Sequence, residues 1–197
     1  MVAASNVTID LNGFMIERTG GGVTAGIRLR GSGTGITIRN GTIKGFSFGI
    51  NLSGLVAGCL IENIIAMGNT STGIRVESDC IVRDNVATGN NFGIAVGSGN
   101  IVSGNTSSFN TLGAGNGISV GLNNVVTGNN ASNNFNDGIT GSSDLANNYI
   151  GNVAKVKWGS VKWGSGFVYL IIYLVSPLII SLNCFCNTMS VSNPFLI

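Results

Sequence analysis

Between Thr72 and Val96 the chain reads TGIRVESDCIVRDNVATGNNFGIAV. The stretch opens on Gly73-Ile74-Arg75-Val76 and closes, 20 residues later, on Gly93-Ile94-Ala95-Val96. Apolar–any–apolar is the period-two pattern of a short strand with one buried face. Between the two copies lie a β-rich pair, Ile81-Val82, then Asn85, then Gly89-Asn90-Asn91. Gly and Asn there mark corners where positive φ is needed.

The same unit recurs on both sides. Gly-Ile stands at Gly26-Ile27, Gly49-Ile50, Gly73-Ile74, Gly93-Ile94, Gly117-Ile118 and Gly138-Ile139, at intervals of 23, 24, 20, 24 and 21. Two residues beyond each Ile comes Leu29, Leu52, Val76, Val96 or Val120, and in the last copy Gly141. A second column reads Asn12, Asn40, Asn63, Asn85, Asn105, Asn129 and Asn152, preceded by short β-rich runs such as Ile36–Ile38 and Ile101-Val102. Helix formers are sparse and Gly interrupts every window, so no long amphipathic helix is expected. A unit this short cannot bury its own apolar face and must stack on a copy of itself. The expected fold is all-β: a single coil of parallel strands of about six to seven turns, each about 4.8 Å above the last. The six Ile form an inward aliphatic column. The seven Asn form a structural ladder of amides bonded to their own copies in the next turn.

Composition agrees and excludes several functions. Of 197 residues 31 are Gly and 2 are Pro, net charge is +2, and 44% are hydrophobic. The chain is neither collagen-like nor a charged disordered tail. Ten Lys+Arg spread thinly argue against a nucleic-acid partner. The chain has no His, which removes His-based metal sites, triads and general acids.

The composition divides near Ala154. Residues 1–154 carry all eight acids against seven bases; residues 155–197 carry three Lys, both Trp, both Pro and no acid. We therefore expect a repeat domain at 1–154 and a non-repeat apolar tail at 155–197. The tail opens on a duplication, Val156-Lys157-Trp158-Gly159-Ser160 and Val161-Lys162-Trp163-Gly164-Ser165. The apolar run that follows suggests a membrane anchor through 167–186; the abrupt loss of the repeat suggests an out-of-frame extension instead.

Ser5-Asn6-Val7-Thr8-Ile9-Asp10-Leu11-Asn12-Gly13, Ile36-Thr37-Ile38-Arg39-Asn40-Gly41-Thr42-Ile43 and the repeated Gly-Ile-x-Val/Leu steps resemble right-handed parallel β-helix repeat proteins of the pectin-lyase-like group. The resemblance covers about residues 5–153 and implies a right-handed coil. It implies no single reaction, since the group holds lyases, polygalacturonases, epimerases, tailspikes and members without known activity. Such proteins usually have more sequence ahead of the first turn, often with an export signal, whereas four residues precede Ser5 here. A truncated gene product is a further reading, and surface localisation is implied by the resemblance alone.

Two outward columns are the candidate sites. Aligning the Asn column, with one extra residue in the first turn, puts Asp10, Arg39, Glu62 and Asp84 in one row. Glu62 above Asp84 would be a carboxylate pair able to share a proton or hold Ca²⁺. With Arg39 as base, these would serve the polysaccharide-lyase alternative, the one reading that needs a cofactor. The second row, Arg28, Asn51 and Arg75, would grip uronate carboxylates. Non-catalytic carbohydrate binding or scaffolding is the leading expectation. Cys59 and Cys80 fall in adjacent turns as buried thiols.

Overall fold

The computed structural model describes residues 1–154 apart from Val23, Leu55, Ala114 and 142–145. The tail beyond 154, with its anchor and frameshift readings, lies outside the described residues. The chain winds as a parallel β-helix of about six turns, every strand pairing in parallel with the equivalent strand of the next turn. Each full turn presents three faces. The first carries Thr8–Asp10, then the leading parts of Thr37–Lys44 and Leu60–Met67, then Ile81–Arg83, Ile101–Ser103, Val125–Thr127 and Asn148–Ile150. The second carries Met15–Glu17, the trailing parts of the same two long strands, then Val86–Thr88, Thr106–Ser108, Asn130–Ala131 and Val153–Ala154. The third is a six-stranded sheet of Ala25–Arg28, Phe48–Leu52, Thr72–Val76, Phe92–Val96, Asn116–Val120 and Ile139–Gly141.

Like residues stack over like. Ile27, Ile50, Ile74, Ile94, Ile118 and Ile139 are successive Cα partners on the third face. Ile50, Ile74, Ile94 and Ile118 are all 0% exposed. On the first face Ile38, Ile61, Val82, Val102 and Val126 form a parallel inward column closed below by Tyr149. The second face narrows inward, its column running Ile16, Ile43, Ala66, Ala87, Ser107. Small side chains there let that wall approach the Ile column opposite. The Gly of each Gly-Ile pair is demanded by space. A Cβ on Gly73 would lie 2.7 Å from the Gly93 carbonyl oxygen and 2.9 Å from Nδ2 of Asn90, and one on Gly49 would lie 2.5 Å from the Gly73 oxygen.

The corners follow one rule: a residue at positive φ, then a buried residue that closes the bend. At the first corner the positive-φ column is Asn40, Asn63, Asp84, Gly104, Gly128 and Gly151, with φ from 51 to 64°. The closing column is Ile64, Asn85, Asn105, Asn129 and Asn152. Here the expected ladder needs correction. Asn85, Asn105, Asn129 and Asn152 do form it, but Asn40 and Asn63 sit one position earlier, at the left-handed corner itself. Arg39 pairs with Glu62 and Glu62 with Arg83, which sets Asn63 opposite Asp84 and Ile64 opposite Asn85. Asn12 is also exposed at φ 47°, and its N–H donates to Oδ1 of Asp10. The first turn carries two extra residues rather than one, since Asp10 and Met15 face Arg39 and Thr42.

Two further amide ladders went unread in the sequence. Asn69, Asn90, Asn110 and Asn134 close the second corner; Asn100, Asn124 and Asn147 close the third. In each rung Oδ1 accepts both the backbone N–H and the Nδ2–H of the Asn in the turn before, both at 2.9 Å for Asn129 and both at 3.0 Å for Asn134. Nδ2 also donates to a carbonyl of the preceding turn, as Asn105 does to Val82 at 2.9 Å. Among the described residues no buried side-chain nitrogen or oxygen lacks a partner.

Candidate functional site

The first face does not hold the expected carboxylate pair. Register places Asp10, Arg39, Glu62, Arg83, Ser103, Thr127 and Ile150 in one outward row. Arg83, not Asp84, stands opposite Glu62, and its guanidinium donates to Oε2 at 2.6 Å. Arg39 Nε donates to Oδ2 of Asp10 at 2.8 Å. Asp84 belongs to the corner, at φ 56° with its carboxylate over Gly104. The cause is the one-residue slip of the Asn alignment, and a one-residue slip turns a side chain to a different surface. Among the described residues no three Cys, Asp or Glu gather where they could hold a metal ion, and register sets Glu62 and Asp84, the candidates for Ca²⁺, one position apart. The Asn12 N–H first, then the Asn40 amide, with Arg39 adding to them, hold the Asp10 carboxyl below its usual value against an opposing effect of burial.

The second expected row holds in register. Arg28 pairs with Asn51, Asn51 with Arg75, and the row continues through Ala95, Ser119 and Thr140. Arg28 and Arg75 thus project from the third face two turns apart, roughly 10 Å. Arg75 has a long contact to Glu77 at 3.5 Å, half-exposed on both sides, and such a pair contributes little. Arg28 has no ion-pair partner among the described residues. Asn51 Oδ1 accepts the Ser53 N–H at 3.0 Å, leaving its amide N–H groups outward. Below, Thr140 donates to the Ser119 hydroxyl at 3.0 Å.

Two features escaped the sequence reading. Ile81, Ile101 and Val125 stack as an exposed aliphatic row on the first face; the sequence shows them only as one half of β-rich pairs. Phe109 occupies a positive-φ corner position at 54° and is 59% exposed. Its neighbour a turn above is Gly89, at φ 67°. A bulky residue at left-handed φ costs about 1–2 kcal/mol, and an exposed ring recovers none of this by burial. Phe135, 58% exposed, lies one turn further on, two residues past Asn133, the corner residue equivalent to Phe109. The signal in sequence was an aromatic where the repeat calls for Gly or Asn.

No known protein family matches the chain, and no curated protein or solved structure matches it. Class therefore rests on the fold, a parallel β-solenoid with asparagine ladders. No helix among the described residues is long and apolar enough to cross a membrane.

Proposed function

We propose that the chain is a non-catalytic polysaccharide-binding module of the pectin-lyase-like kind, holding an extended acidic glycan along its third face. The observation that carries this is the in-register row Arg28–Asn51–Arg75. Parallel stacking sets donors at a fixed repeat, and a polymer of uronate units offers acceptors at a fixed repeat. Guanidinium groups bind carboxylates bidentately, and the amide between them reaches ring hydroxyls. Phe109 and Phe135 supply apolar ring faces beside the lower turns. On the first face Glu62 is committed to Arg83, which favours holding a glycan over cutting one.

The test is retention on an array of acidic and neutral glycans, run beside a polyuronate assay that follows unsaturated product by absorbance, with and without Ca²⁺. Binding to acidic glycans that falls at least tenfold in Arg28→Ala/Arg75→Ala, without new absorbance, is expected. New absorbance lost in Glu62→Ala would overturn the non-catalytic reading, and undiminished binding by the double variant would remove the third face from it.

A further inference from the structure

The third corner changes chemistry part-way down. Its closing column runs Ile36, Cys59, Cys80, Asn100, Asn124, Asn147, as the register of the following strand residues requires. Two thiols therefore occupy consecutive rungs of an amide ladder. They take over the amide's bonds. Cys80 Sγ donates to the Ser78 carbonyl at 3.0 Å, as Asn100 Nδ2 donates to Ser98 at 3.1 Å. The Cys80 N–H in turn donates to Oδ1 of Asn100 at 2.9 Å. Both cysteines are free, 2% and 1% exposed, and Cys59 Sγ likewise donates to the carbonyl two residues before it, that of Ala57, at 3.8 Å.

We propose that Cys59 and Cys80 form a two-coordinate site for a soft monovalent d¹⁰ cation of the Cu(I) class. Thiolate sulfur selects such ions. Metal–sulfur bonds of about 2.3 Å on either side of an ion place the sulfurs about 4.6 Å apart, close to the rung spacing of about 4.8 Å. Binding breaks two S–H bonds, forms two S–metal bonds and releases two protons; no electron moves, and the site goes from neutral to −1. No third acidic or thiol ligand joins the pair among the described residues. Access lies over the corner at Gly58, where a Cβ would meet only backbone at 4.0 Å, beside the exposed Asp79; Gly35 above is covered by the Asn6 side chain.

The experiment uses the full chain with Cys184→Ser and Cys186→Ser, which leaves Cys59 and Cys80 as its thiols. Ag⁺ is titrated in chloride-free buffer at mildly acidic pH, following ultraviolet charge-transfer absorption, proton release and thermal unfolding. One Ag⁺ per chain, close to two protons per ion and a raised unfolding temperature are expected. Cys59→Asn and Cys80→Asn, which place the column's own residue at each rung, should each abolish all three. No stoichiometric uptake would overturn the proposal, as would uptake that survives both substitutions.

Discussion

The turns above Asp84 and those below it solve the same bend in different ways. Above, the corners are closed by Ile36, Phe46, Cys59, Ile64 and Cys80, all buried, with Asn69 as the one amide rung, and the outside is laced with ion pairs: Asp10–Arg39, Glu17–Lys44 and Glu62–Arg83. Below, amides close every corner, and residues 85–154 contain no Lys or Arg. An apolar plug removes side-chain area from water but gives nothing to the backbone N–H it covers. An amide bonds that N–H and its own copies at once, provided the copies continue. A ladder can therefore begin anywhere, but each interior rung depends on both neighbours.

The largest effect should come from breaking a ladder in its middle. Asn105→Leu removes the acceptor of the Asn85 N–H and Nδ2–H, and the donor to Val82 and Asn129. With about 1–3 kcal/mol for each buried group left unpaired, a loss of about 3–5 kcal/mol is expected in urea unfolding. Asn63→Gly is the matched control. Asn63 is exposed at φ 51°, so Gly should change stability by no more than about 1 kcal/mol. Equal losses at the two sites would dissolve the distinction between corner and rung.

A smaller effect should come from extending a ladder into the apolar turns. Ile64 already gives its N–H to Oδ1 of Asn85 at 3.0 Å. Ile64→Asn would add a rung whose upper neighbour, Gly41, has no amide to pair with. It loses buried aliphatic area worth about 2–3 kcal/mol and recovers part through new bonds. A net loss of about 1–2 kcal/mol is expected, below that of Asn105→Leu. A greater loss than Asn105→Leu would mean that the plug, not the amide, is the stronger closure.

These contrasts show what the sequence made legible. The Gly-Ile-x-Val phrase fixed the third face and its outward row because a strand's alternation is visible within five residues. The ladder was half legible. In Asp84-Asn85, Gly104-Asn105, Gly128-Asn129 and Gly151-Asn152 the residue before the Asn takes the left-handed φ, whereas in Asn40-Gly41 and Asn63-Ile64 the Asn takes it itself. Asn satisfies either demand, since it tolerates left-handed φ and also bonds neighbouring backbone. Residue type alone therefore misaligned the upper turns by one position and brought Asp84 falsely over Glu62. The preceding dipeptide is what separates the two roles, and it also marks Gly68-Asn69, Gly89-Asn90 and Gly99-Asn100.

Phe109 tests whether a corner residue can be kept for something other than the bend. Phe109→Gly should stabilise the chain by about 1 kcal/mol, because it relieves left-handed φ at little loss of burial. The same change should weaken acidic-glycan binding severalfold if the ring contacts sugar. Stabilisation with binding unchanged would leave Phe109 outside the binding surface.

The smallest effect belongs to the charged turns and is read through pH. The carboxyl of Asp10 is held below its ordinary value first by the Asn12 N–H, then by Asn40 and Arg39. A lowered folded value means that ionised Asp10 favours the fold at pH above the ordinary Asp range, and that this contribution fades as pH falls through that range to the lowered value. Asp10→Asn should therefore be slightly less stable than the parent at neutral pH and converge with it on acidification. Salt should narrow the neutral-pH gap by screening Arg39, while leaving the share due to the two amide donors. Asn105→Leu should show neither dependence, because nothing in its ladder titrates. A pH-independent gap at Asp10 would place its role in the turn's shape rather than its charge, and the upper turns would then differ from the lower ones in packing alone.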